Sequence, residues 1–143
     1  MLFTSQQRYI LHWCGMMCVR RQSGEYSVVN MVLAYHYAHD ARKASPIPSP
    51  EIILNLGKMV EPDQNKSGFR HRSVDPVPYL GWERSIALYC GAWEKMTPEQ
   101  RYREFEILHP FQDGNGRVGV ILFNWHRLDE MPRVPPDMFR YGG

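Results

Sequence analysis

Residues 109–117 read His109-Pro110-Phe111-Gln112-Asp113-Gly114-Asn115-Gly116-Arg117. This short run holds a base, a carboxylate, two glycines, an amide and a guanidinium, an inventory suited to handling a phosphate ester. The flanking sequence makes it a turn between two helices. Upstream, Thr97-Pro98-Glu99 opens a helix, with Thr97 as cap and Pro98 at its first position. That helix carries Tyr102, Phe105, Ile107 and Leu108. Downstream, the apolar spacing of Val118, Ile121, Leu122 and Trp125 predicts a helix from Arg117 to Leu128.

The chemistry follows from the order of the residues. Gly114, Asn115 and Gly116 adopt positive φ at low cost, which lets successive backbone N–H groups point the same way. The helix that starts there directs free amides and the positive end of its dipole at an anion. Arg117 lies in the first turn and adds a charge-assisted bond. A lone carboxylate beside phosphates, here Asp113, holds magnesium through one side-chain ligand while waters supply others. A histidine side chain ordinarily titrates near about 6.5, so His109 is a candidate to accept a proton near neutrality. Phe111 is read as a core plug that fixes the turn, and Pro110 as a stiffener. Together they imply hydroxyl attack on a phosphate, with His109 as base.

Working outward, Ser5 to Arg21 reads as a buried helix capped by Ser5 and stopped by Gly24. Ser27 to Ala44 is a second, apolar at Val28, Met31, Val32, Tyr35 and Ala38. The stretch Ser45 to Pro50 has three prolines and is a stiff connector. A third helix runs from Ser49 or Pro50 to about Val60, and Pro62 to Gly68 is a polar loop. Phe69 to Val77, with Phe69, His71 and Ser73 alternating against Arg70, Arg72 and Val74, reads as an extended strand or hairpin. Trp82 to Lys95 is a further helix with Ile86, Leu88, Tyr89 and Trp93 apolar, and Trp82, Trp93 and Trp125 are assigned to the core. From Met131, three prolines predict an extended strap.

Bulk properties set limits. The chain has 143 residues, a hydrophobic fraction of 43%, an aromatic fraction of 13% and a net charge of +2. This suits one domain spanning residues 1–143, with no like-charge run for nucleic acid or a membrane. No stretch reaches the roughly 20 apolar residues a membrane span needs, and no leader peptide is read at the start, so a cytoplasmic location is expected. Cys14 and Cys18 share a helical face and read as buried thiols. His36 and His39 stand three apart without a third ligand nearby. His12 and His126 are assigned to core or boundary positions. Gly119 inside a helix costs about 1 kcal/mol relative to alanine, which close packing would explain.

The run from His109 to Arg117 resembles the signature of the Fic family, His-Pro-Phe-x-(Asp/Glu)-Gly-Asn-Gly-Arg-x-x-Arg. Ser67-Gly68-Phe69-Arg70 is similar to the start of that family's flap, and about residues 27–130 are placed in its helical core. The resemblance implies an all-α helical bundle with a short β-hairpin flap beside the site. It also implies transfer of AMP, or another nucleotide, from ATP to a Ser, Thr or Tyr hydroxyl of a target protein. His109 would be the base and Asp113 would hold Mg2+. Gly114, Asn115, Gly116 and Arg117 would form the anion hole. The flap, with Gly68, Phe69, Arg70, Arg72 and Val74, would align the target by main-chain pairing. Many family toxins are silenced by a small separate antitoxin, so a partner inhibitor is expected as an option.

The last signature arginine is replaced by Val120. Losing one charge-assisted phosphate bond costs about 1.5–3 kcal/mol, which weakens placement of the donor but leaves base, metal ligand and anion hole. The Ser/Thr-x-x-x-Glu pattern of the family's inhibitory helix is also absent. Transfer of a different group such as phosphocholine, or a weak or silent protein kept for binding or assembly, therefore stands beside nucleotide transfer.

Overall fold

The computed structural model describes residues 12–14, 25–70 and 81–136. Within them the order is α1 (Glu25–Ala44), α2 (Pro50–Val60), α3 (Trp82–Gly91), a 3-10 turn Trp93–Lys95, α4 (Pro98–Leu108), α5 (Asn115–Phe123) and a second 3-10 turn Trp125–Arg127. The regular elements among the described residues are all helical, with no strand among them. Of the first predicted helix, only residues 12–14 are described, and these are helical. The hairpin expected over 69–77 falls mostly on 71–80, outside the described residues, as do Arg72, Val74 and Cys18.

The helices begin where local chemistry directs. Ser49 caps α2 by accepting from the Ile52 N–H at 3.2 Å, with Pro50 in the first turn. Its buried residues Ile52, Ile53, Leu56, Gly57 and Val60 form one apolar stripe. Thr97 and Gln100 form a reciprocal capping box at the start of α4, which satisfies two backbone donors at once.

At the centre lies α5, all nine of whose residues are buried. A helix apolar all round belongs inside a core. It packs most extensively on α4 and also against α2 and α1. Gly119 makes the α4–α5 approach possible: a Cβ there would lie 2.5 Å from a Glu106 carboxylate oxygen and 3.3 Å from the Tyr102 ring.

Several sequence expectations need correction. Trp82 to Lys95 is not one helix: α3 stops at Gly91 and Ala92 turns the chain, its N–H shared between Leu88 and Tyr89 carbonyls. The helix predicted to run from Arg117 to Leu128 begins earlier, at Asn115, and ends at Phe123. Asn124 ends it because its side-chain amide donates to Val120 O and to Arg133 O, both at 2.9 Å. That side chain competes with continued helix. On α4, Ile107 is 62% exposed while Glu106 is buried, so the helical period sets the apolar residue outside and the acid inside. Leu88 is likewise exposed. His12 and His126 are both exposed rather than core or boundary residues.

Other readings hold. Trp82, Trp93, Trp125 and Cys14 are buried. Trp125 donates to Pro46 O at 2.7 Å, pinning the proline-rich connector. His39 pairs with Asp129 at 2.6 Å, and Arg42 pairs with the same carboxylate. Residues from Met131 to Pro136 are neither helix nor strand. No described helix is long and apolar enough to cross a membrane.

Candidate active site

The turn between α4 and α5 begins with a strained residue. His109 caps the C-terminus of α4 in the left-handed region, with φ 50° and its N–H on Phe105 O at 2.9 Å. A side chain in this region costs on the order of 1 kcal/mol, and such residues concentrate at functional sites. Arg70 supplies the restraint. Its backbone N–H donates to Pro110 O at 2.9 Å and its Nε donates to His109 O. The Arg70 guanidinium also stacks 4.5 Å from the Trp82 ring centroid, and the Trp82 indole N–H donates to Arg70 O. Burial lowers the Arg70 pKa from its ordinary value.

Phe111 is fully buried and anchors the turn. Its ring lies 5.2 Å from the Phe69 ring and directly over Gly57 of α2, where a Cβ would come within 2.2 Å of it. Only glycine at 57 leaves room for the ring. Asn115 ties the turn internally: its Oδ1 accepts from Phe111 N at 2.8 Å and its Nδ2 donates to Phe111 O at 2.9 Å.

The glycine turn differs from the expectation in one respect. Gly114 alone supplies positive φ, at 80°, while Asn115 and Gly116 are already helical. Gly114 is the N-cap and brings no side chain to the helix start. Its N–H is held by Asp113 Oδ1 at 2.8 Å. Among the described residues no side chain caps the first-turn amides of α5, which lie at the positive end of the helix dipole.

Arg117 is placed differently from a residue extended toward an anion. Its side chain is 3% exposed and crosses to the end of α2, donating to Val60 O at 3.1 Å and to Glu61 Oε1 at 3.0 Å. It also lies 3.8 Å from Asp113 Oδ2. Val120 is 1% exposed, inside the core. Position 120 therefore faces apolar neighbours.

Three residues of the site escaped sequence reading. Gly57 carried a signal, since a glycine inside an apolar helix needs a packing reason. Glu61 and Asn65 lay in or beside an ordinary polar loop and carried none. Asn65 is fully buried and donates to Gly57 O and Asp113 O, both at 2.8 Å, while accepting from Asp113 N at 3.2 Å.

The donor set can be tested against magnesium. Asp113 is the motif's one carboxylate at the turn, its side chain 40% exposed. Among the described residues no group of three His, Cys, Asp or Glu could hold a metal. That suits a cation whose remaining oxygen ligands come from phosphates and water, and does not suit an all-protein cage. A groove of about 510 Å³ also runs between α3 and α4, lined in part by Leu88, Ile107 and Leu108, but contains no motif residue.

Neither a search of curated proteins nor a search of solved structures returns a match. Residues 100–126, from the first turn of α4 through the glycine turn and α5 into the second 3-10 turn, match the family model described as Fic/DOC family, over the same stretch in which the run from His109 to Arg117 resembles that family's signature.

Proposed function

We propose that the protein transfers a nucleotidyl group, AMP in the first instance, from a nucleoside triphosphate to a hydroxyl of a target protein. At the level of the matched family, transfer of a nucleotidyl or other phosphate-containing group to proteins is the activity suggested. The observation that carries this reading is the N-terminus of α5: buried, uncapped by any side chain among the described residues, and flanked by Asp113 and His109. Such an end accepts an anion through backbone N–H groups without further side chains.

In this reading the acceptor hydroxyl oxygen attacks the α-phosphorus as His109 takes its proton. The bond to the bridging oxygen breaks and pyrophosphate leaves. The amides that open α5 stabilise charge developing on the α-phosphate oxygens. Magnesium brought with the nucleotide would rest against Asp113 and neutralise the leaving phosphates. Arg70 fixes the backbone on both sides of the base, and Phe111 fixes the turn beneath it. Residues 68–70 support the expected role of the flap as the strand that aligns the target, since Arg70 already lies against His109 and Pro110.

A specific observation favours a second reading, a weak or silent protein kept for docking. Arg117 is committed to Glu61 and Val60, and position 120 faces the core. Neither signature arginine position then presents a guanidinium to an outer phosphate. The two readings separate in a lysate incubated with α-labelled ATP, and in parallel with other labelled nucleotides and CDP-choline. Transfer predicts a labelled protein that disappears with His109→Ala, a loss of about 10²–10⁴-fold for a general base. No labelling from any donor contradicts it and leaves the docking reading.

A further inference from the structure

The candidate metal ligand Asp113 is held from outside its own turn by Asn65. Asn65 reaches it across 48 positions of sequence. Its Oδ1 accepts the Asp113 N–H and its Nδ2 donates to the Asp113 carbonyl, as a neighbouring strand would. The same Nδ2 donates to Gly57 O, and the Asn65 backbone N–H donates to Glu61 O at 2.9 Å. Asn65 thus ties the Asp113 peptide to the rigid end of α2. Gly57, at the other end of this tie, is also the seat of the Phe111 ring.

The side chain of Asp113 is then set by few remaining freedoms. Its Oδ1 is taken by the Gly114 N–H, and its Oδ2 lies on the side of Arg117. With the backbone clamped and one oxygen assigned, the direction of the carboxylate follows. We infer that Asn65 is a positioning residue for Asp113, fixing the carboxylate that meets the nucleotide's divalent cation. The inference rests on the nucleotidyl-transfer reading above. A purely structural role would also bury Asn65, so the distinction lies in what its loss does to metal-dependent binding.

The experiment compares wild type, Asn65→Ala and Asn124→Ala by calorimetric titration with a non-hydrolysable ATP analogue, with and without manganese(II). The ratio of the two dissociation constants measures what the metal adds. Loss of a group that orients a metal ligand lowers metal affinity about 10- to 100-fold. Asn65→Ala is expected to reduce the metal-dependent gain by that factor, with metal-free affinity changed less than about threefold. Asn124 is equally buried and bonded to backbone, but at the far end of α5. Asn124→Ala is expected to lower Tm and leave the gain intact. Asn65→Asp, of similar volume but without the two donated bonds, serves where the alanine variant does not fold.

A metal-dependent gain retained in Asn65→Ala or Asn65→Asp overturns the inference alone. So does an equal loss of the gain in Asn124→Ala. A wild type that binds the analogue in neither condition overturns the nucleotide reading and the inference with it.

Discussion

The two ends of α5 are built on opposite principles. At the C-terminus, Asn124 closes the helix with the chain's own groups. Its Nδ2 donates to Val120 O and Arg133 O, and its Oδ1 accepts from Arg133 N at 2.8 Å. Trp125 follows and is pinned to the connector at Pro46. At the N-terminus, Gly114 offers no side chain, and Asp113 accepts from the Gly114 amide. Polar side chains are plentiful there, yet Asn115 turns back to Phe111 and Arg117 turns away to α2. Both ends sit within the core. One is a finished structural joint, and the other keeps first-turn backbone donors that no side chain among the described residues serves. A buried helix end left so is costly unless something else supplies the acceptor.

The contrast can be attacked from either end. The largest effect is expected from Phe111→Ala, which removes the ring seated on Gly57. Fully buried aromatic truncations cost about 3–5 kcal/mol, to be read in urea denaturation. A cost below about 1 kcal/mol would mean that the turn is not anchored through this ring. Asn124→Ala comes next. It removes the bonds that close the C-terminal end and is expected to cost about 1–3 kcal/mol, with nucleotide affinity unchanged. If it weakened nucleotide binding as much as a change at the N-terminal turn, the two ends would not be separate in function.

The smallest effect concerns pH. Asp129, just beyond the C-terminal end, has its pKa lowered by the hydrogen bond from His39 first and by Arg42 next. A carboxyl depressed in the folded state contributes stability above its unfolded value of about 3.8, and that contribution is lost as pH falls through the lower folded value. Asp129→Asn should therefore flatten the fall of Tm below about pH 4, the change being slight because the group is exposed. An unaltered acid limb would show that the pair with His39 and Arg42 is not formed in solution.

Much of this architecture could be read in the sequence, because it is written in local chemistry. Thr97 and Pro98 mark the start of α4, Ser49 and Pro50 that of α2, and the large tryptophans mark the core. The order of residues in the turn suggested a phosphate-handling site. What could not be read depends on contacts far apart in the chain. Asn124 ends α5 by bonding Arg133, so a helical apolar pattern continuing to Leu128 misleads. Ile107 and Glu106 exchange inside and outside because α4 is rotated by its packing on α5, where Gly119 admits the Glu106 carboxylate. Asn65 looks like any loop asparagine until its bonds to Gly57 and Asp113 are seen. Arg117 looks like an anion ligand until Glu61, from a different helix end, is found beside it.

The central claim is that the open end of α5 is where a phosphate binds. Backbone amide shifts recorded in a 15N-labelled sample titrated with magnesium and ATP test it most directly. The account predicts saturable shifts centred on Gly114, Asn115, Gly116 and Arg117, with Asn124, Trp125 and Arg133 unmoved. Saturating nucleotide that leaves those four amides in place, or that moves the Asn124 end instead, would contradict it.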